Sequence, residues 1–116
     1  MKSLWCLVLF LLFPALSYCA DVNLTWEDNS TDEDGFVVER ALASDPTAFA
    51  EVARVGVDVV TYKDAGLPQG TTFLYRVKAY NQAGDSAYSN TVSATTGTGT
   101  NAPPTNVKII WEKTAP

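Results

Sequence analysis

"TFLYRVKAYN", residues 72–81, decides the fold. Phe73, Tyr75, Val77 and Ala79 alternate with Thr72, Leu74, Arg76, Lys78 and Tyr80. A period of two places the first set on one face of a strand and the second on the other. The same alternation recurs outward from this stretch. Val22, Leu24 and Trp26 alternate with Asp21, Asn23 and Thr25. Residues 35–40 form a second strand with Phe36 and Val38 on one face, and residues 49–55, 59–63 and 90–95 supply shorter ones. Turn-forming residues separate them: Asn29-Ser30, Ser44-Asp45-Pro46, Pro68-Gln69-Gly70 and Ala83-Gly84-Asp85. No stretch after residue 21 holds a helical period. Short strands at this spacing predict an all-β, antiparallel sandwich.

The first twenty residues belong to a different object. Met1-Lys2-Ser3 is a short basic start, an apolar run follows from Leu4 to Leu16, and Ser17-Tyr18-Cys19-Ala20 closes it. This is the layout of a secretory signal peptide. The apolar run is too short to span a bilayer, which takes about 20 residues. The expected division is therefore a signal peptide at 1–20, a sandwich at 21–96, and a linker plus tail strand at 97–116. Both cysteines, Cys6 and Cys19, fall in the leader, so a mature chain from Asp21 has neither thiol nor disulfide, and no histidine. Loss of Lys2 takes the net charge from −5 to −6, with 7 basic against 13 acidic groups. Such a chain lacks the basic footprint of a nucleic-acid binder. Export without disulfides favours a bacterial secreted or periplasmic protein. Leu16-Ser17-Tyr18-Cys19 also approaches a lipobox, which makes Cys19 a lipidation candidate and envelope anchoring the minority alternative, although Tyr18 is bulky where a small residue is usual.

By this point the residues resemble the fibronectin type III family, and its bacterial members in particular. The matching stretches are "VNLTW" for strand B, "DGFVVER" for strand C, "FAEVARVG" for strand C′, "TYKDAGLPQGTTFLYRVKAYNQAGDSAYSN" from strand E through the F–G loop, and "TVSATT" for strand G. The resemblance implies an immunoglobulin-like sandwich working as a binding module. Two departures stand out. The family's corner tyrosine, whose hydroxyl bonds the backbone near the E–F turn, falls on Phe73. One hydrogen bond worth about 1 kcal/mol is thereby lost, and Tyr75, two residues along, is not expected to replace it. Strand A is also missing ahead of strand B.

The missing strand has a counterpart at the other end. After a flexible linker at 97–101, Pro103-Pro104-Thr105-Asn106-Val107-Lys108-Ile109 resembles a family strand A, and residues 106–112 echo 21–27, each ending in Trp-Glu. Three readings stand: pairing with strand B of the same chain, exchange with a neighbouring copy to make a dimer, or the start of a truncated repeat. Residues 97–102 span about 20 Å at most, which leaves little slack for crossing the domain. Two ways out are a tail that runs parallel to strand B and a tail that enters a neighbour and makes dimers.

"WEDNSTDEDGF", residues 26–36, is the densest functional signal, with Glu27, Asp28, Asp32, Glu33 and Asp34 closing on Gly35. With Gly35 at the sixth position of a calcium loop, Ser30, Asp32 and Asp34 take ligand positions, but the twelfth is Ala41 where a bidentate Glu is needed. The stretch reads as an acidic turn in which Asp28, Asp32 and Asp34 cap the backbone and Gly35 lets the chain reverse, with no metal site. Without histidine or cysteine, nucleophilic triads and His-ligated zinc are excluded. Gly97 and Gly99 precede no helix, so no phosphate loop exists. No enzyme activity and no cofactor are expected. Tyr80, Tyr88 and Trp111 are candidates for stacking on sugars, although Tyr88 is expected to pack beside strand G and Trp111 to seal the tail. The F–G loop, residues 82–86, carries no Arg-Gly-Asp. The expected function is an exported, non-enzymatic interaction module for a protein or polysaccharide partner, with a carbohydrate-stacking domain or a passive spacer as alternatives. Neither nucleic acid nor a transmembrane span is expected.

Overall fold

Alternating apolar residues need two sheets that can face each other, and the chain forms both. The computed structural model describes residues 19–28, 32–99 and 103–110. The signal-peptide run, the loop tip at 29–31 and Trp111 lie outside the described residues. The strands are β1 (Cys19–Trp26), β2 (Gly35–Leu42), β3 (Ala50–Gly56), β4 (Thr61–Pro68), β5 (Thr72–Asn81), β6 (Gly84–Asp85), β7 (Val92–Thr95) and β8 (Thr105–Ile109). One sheet has the order β4-β1-β8. The other has the order β3-β2-β5-β6, and β7 also pairs with β5. Val22, Leu24 and Trp26 from β1 meet Phe36 and Val38 from β2, and Phe73, Tyr75, Val77 and Ala79 from β5, in the core between the sheets. The all-β, immunoglobulin-like sandwich expected from the alternation is the fold observed.

Strand boundaries differ where turn residues mislead. β1 begins at Cys19, and Cys19 and Ala20 pair with Pro68 and Leu67, so the strand reaches two residues into the stretch read as leader. β4 runs past Lys63 to Pro68, because a register shift between Ala20 and Val22 carries the pairing on.

The tail completes the three-stranded sheet of its own chain. β8 pairs with β1 in parallel, Leu24 opposite Val107 and Trp26 opposite Ile109. Ile109 is 0% exposed, and the Asn23 side-chain amide donates to Asn106 Oδ1 at 3.1 Å. The distance problem disappears in this direction. β7 and β8 meet where the Thr105 hydroxyl donates to the Thr95 carbonyl at 3.0 Å. The chain therefore turns back at the end of β7 and never crosses the domain.

Among the described residues of the segment expected to be a flexible linker, Gly97 and Gly99 are hydrogen-bonded to the β4–β5 turn. The Gln69 amide donates to the Gly99 carbonyl at 2.9 Å and accepts from the Gly99 N–H at 3.0 Å. The Gly70 N–H reaches the Thr96 carbonyl at 3.2 Å. Thr96, buried, donates its hydroxyl to the Pro68 carbonyl at 2.8 Å and accepts from the Thr71 N–H at 3.0 Å. This hydroxyl bonds the turn between β4 and β5, which Phe73 cannot do. The corner hydrogen bond has moved from β5 to the residue after β7.

Tyr75 does not replace the corner bond either, and takes a different partner. Its hydroxyl donates across the sandwich to Asp64 Oδ2 at 2.6 Å. Arg40 reaches both oxygens of the same carboxylate from β2, at 3.0 and 2.8 Å. Asp64 is 4% exposed, and such a charge is tolerable only when paired and hydrogen-bonded. Burial, reinforced by the Asp64 carboxylate, pushes the Tyr75 hydroxyl far above its ordinary pKa. It remains a donor at all physiological pH. Tyr75 thus links β5 to β4 rather than to the corner backbone.

Replacing Ile109 by Ala empties a fully buried site beside Trp26. The expected cost is about 3 kcal/mol, or roughly 15 °C in melting temperature for a domain of this size. Deleting residues 103–116 should cost at least as much, and sedimentation should report a monomer before deletion. A dimer that becomes a monomer on deletion would show strand exchange instead.

Candidate functional site

Two loops meet at the pole where β1 ends and β2 begins. The Asp34 N–H donates to the Tyr80 carbonyl at 2.7 Å. Asn81 donates through its side-chain amide to the Asp32 carbonyl at 3.2 Å and accepts the Ala83 N–H at 2.8 Å. One asparagine therefore fixes both the β1–β2 loop and the turn into β6. Between them lies a cleft of about 250 Å3, with Asp32, Glu33, Tyr80, Asn81, Asp85 and Ser86 in its walls. Gly35 is required for space rather than for chain reversal: a Cβ there would collide with the Val55 carbonyl and come within 2.7 Å of the Tyr80 hydroxyl.

From the acidic stretch, Glu33 bonds the turn between β3 and β4. It accepts the Asp58 N–H at 3.3 Å. Its own backbone N–H and that of Asp58 hold its carboxyl below the usual value, against the effect of burial. Asp28, Glu33 and Asp58 bring carboxylate oxygens within 4.8 Å of one another. Asp58 arrives from the β3–β4 turn with a φ of 61°. It lies too far along the chain for the acidic stretch to reveal it. A Val-Asp-Val turn carries no ligand signature, and only the pairing of β2 with β3 brings it near. These are the residues able to hold a cation. Three carboxylates fall short of the six to eight oxygens calcium takes.

On the outer face of the larger sheet, charges and rings interleave. The Arg76 guanidinium sits 4.0 Å from the Phe49 ring centre and 3.7 Å from that of Tyr88. Glu39 pairs with Arg76 at 2.8 Å and accepts the Tyr88 hydroxyl at 2.9 Å. Lys78 pairs with Asp85 at 2.8 Å, which raises its pKa. The chain leaves the β5 ladder after β6, and the hydroxyls of Ser86 and Ser89 accept the Ala79 and Val77 N–H groups, each at 2.9 Å. This departure carries Tyr88 onto the outer sheet face instead of beside the last strand of that sheet. Arg54 covers Tyr80 at 4.5 Å. Both tyrosines proposed for sugar stacking thus have a guanidinium on the ring, while Trp111 lies outside the described residues. Cys19, the lipidation candidate, is the first residue of β1.

Comparison with known proteins bears on the fold. No family model matches the chain, and no curated protein matches it. A solved structure that is similar is the twitchin kinase region from C. elegans (Fn31-NL-kin-CRD-Ig26), at 17% identity and a TM-score of 0.51. The match covers 60% of this chain and 12% of that one. It supports an immunoglobulin-like sandwich of the fibronectin type. Among the described residues no helix is long and apolar enough to cross a membrane.

Because the Glu33 carboxyl is held low, its contribution to stability is present above the ordinary carboxylate pKa, 4.5. It is lost as pH falls through the lower folded-state value. Glu33→Gln should therefore be less stable than the parent at pH 7, and the gap should close as pH falls to about 3. Urea melts across that range measure it, and a constant gap would show that Glu33 acts through shape alone.

Proposed function

We propose that the chain is an exported, non-enzymatic interaction module of the fibronectin type III family, and that it meets a protein or polysaccharide partner with the pole where the β1–β2 and β5–β6 loops converge. The observation that carries this reading is the joint fixing of the two loops by Asp34, Tyr80 and Asn81. Pre-ordered loops lose little entropy on binding, and loops on a rigid scaffold are where recognition is usually placed. Family membership is supported by the residues of strands B to G and by the fold. Export is supported by the basic start and apolar run of residues 1–16, with a secreted or periplasmic destination. Carbohydrate stacking is disfavoured by the guanidinium groups on Tyr80 and Tyr88. A spacer would leave the ordering of the pole without purpose.

A glycan array and a peptide array, followed by amide-shift titration with any hit, test the reading. Shifts should cluster on residues 32–34 and 81–86. A protein that binds nothing in either array would be the spacer. The mature chain should begin between Tyr18 and Asp21 by N-terminal mass after export. An intact leader on secreted protein contradicts export, and a diacylglycerol adduct on Cys19 would establish the lipid-anchored form.

A further inference from the structure

Beside the cleft, the end of the three-stranded sheet exposes apolar side chains on either side of Glu27, which follows Trp26 in the central strand and pairs with Lys108. The Trp26 N–H bonds the Val60 carbonyl at 3.0 Å, and Trp26 pairs with Ile109. Val60, Trp26 and Ile109 therefore form the last row across β4, β1 and β8. Val59 and Ile110 are the next residues beyond that row, 38% and 54% exposed. Val57, on the same turn, is 57% exposed. A tight turn closed by the Val59 N–H on the Gly56 carbonyl at 3.3 Å presents both valines. Asp58 stands between them and brings in Glu33 and Asp28. Lys108, in β8 just before Ile109, is paired with Glu27 at 3.5 Å.

An apolar patch alone says little about its partner. Carboxylates converging within it specify the sign of the charge the partner must bring. We infer that Val57, Val59 and Ile110, with Asp28, Glu33 and Asp58, form a docking surface for a protein segment in which lysine or arginine alternates with small apolar residues. The valines and isoleucine take the apolar side chains, and the carboxylates take the basic ones. The inference rests on the interaction-module reading and assigns the partner's chemistry within the same pole.

Three blocked pentapeptides test it against the full exported chain by amide-shift titration: lysine–valine–lysine–valine–lysine, its counterpart with serine for valine, and its counterpart with glutamate for lysine. The first should bind about tenfold more tightly than the second, because two side chains are removed from water, and the third should not bind. Shifts should fall on residues 57–59, 28, 33 and 110. Val57→Ser with Val59→Ser should remove the tenfold advantage, whereas Leu42→Ser at the far pole should leave it intact. Equal binding of the first two peptides overturns the proposal, as do shifts confined to Asn81, Asp85 and Ser86. In that last case the module reading survives with the cleft as its site. Absence of binding by every peptide, together with empty arrays, overturns both.

Discussion

β1 carries Val22, Leu24 and Trp26 into the core, and a strand so placed needs a hydrogen-bonded neighbour on each side. β4 supplies one. The other comes from beyond the strands of residues 21–96. The tail meets that need as β8, and the direction of pairing settles much else. In parallel, the chain turns at the end of β7 and Thr96, Gly97 and Gly99 lie against the β4–β5 turn. An edge that would invite association becomes an interior ladder. Two of the remaining edges carry guards: a register shift and a Glu51–Arg54 pair at 3.1 Å in β3, and a register shift with Lys63 in β4.

This direction also sets the orientation of the molecule. β1 starts at the pole of the β4–β5 turn and ends at the pole of the β1–β2 loop, and β8 leaves beside it. The two poles differ in chemistry. One is a net of neutral hydrogen bonds through Gln69 and Thr96. The other gathers Asp28, Asp32, Glu33, Asp34 and Asp58. Between them, Tyr75, Asp64 and Arg40 tie the sheets together.

Period-two alternation made the core legible, since Phe73, Tyr75, Val77 and Ala79 follow from spacing alone. The need for a strand beside β1 and the Val107–Ile109 pattern made the tail legible, and the short linker left its parallel direction as one of two ways out. What spacing could not show is which polar groups meet across the sandwich. Asp64 lies in β4 and Tyr75 in β5, and their hydrogen bond depends on the depth at which two sheets pack. Thr96 looked like part of a Gly-Thr linker because its partners, Pro68 and Thr71, are chosen by the turn. Asp58 joins Glu33 only through the β2–β3 register. Local composition marked an acidic loop, but not that Glu33 would reach a residue of another loop.

The central claim is that β8 closes the sheet in parallel beside β1 within one chain. The most direct measurement is a set of interstrand nuclear Overhauser effects on a uniformly labelled, monomeric sample of the exported chain. The account predicts contacts linking Leu24 with Val107 and Trp26 with Ile109, both advancing in the same direction, together with slow amide exchange along β1. Contacts that run in opposite directions, or contacts found only between differently labelled chains in a mixed sample, would contradict it.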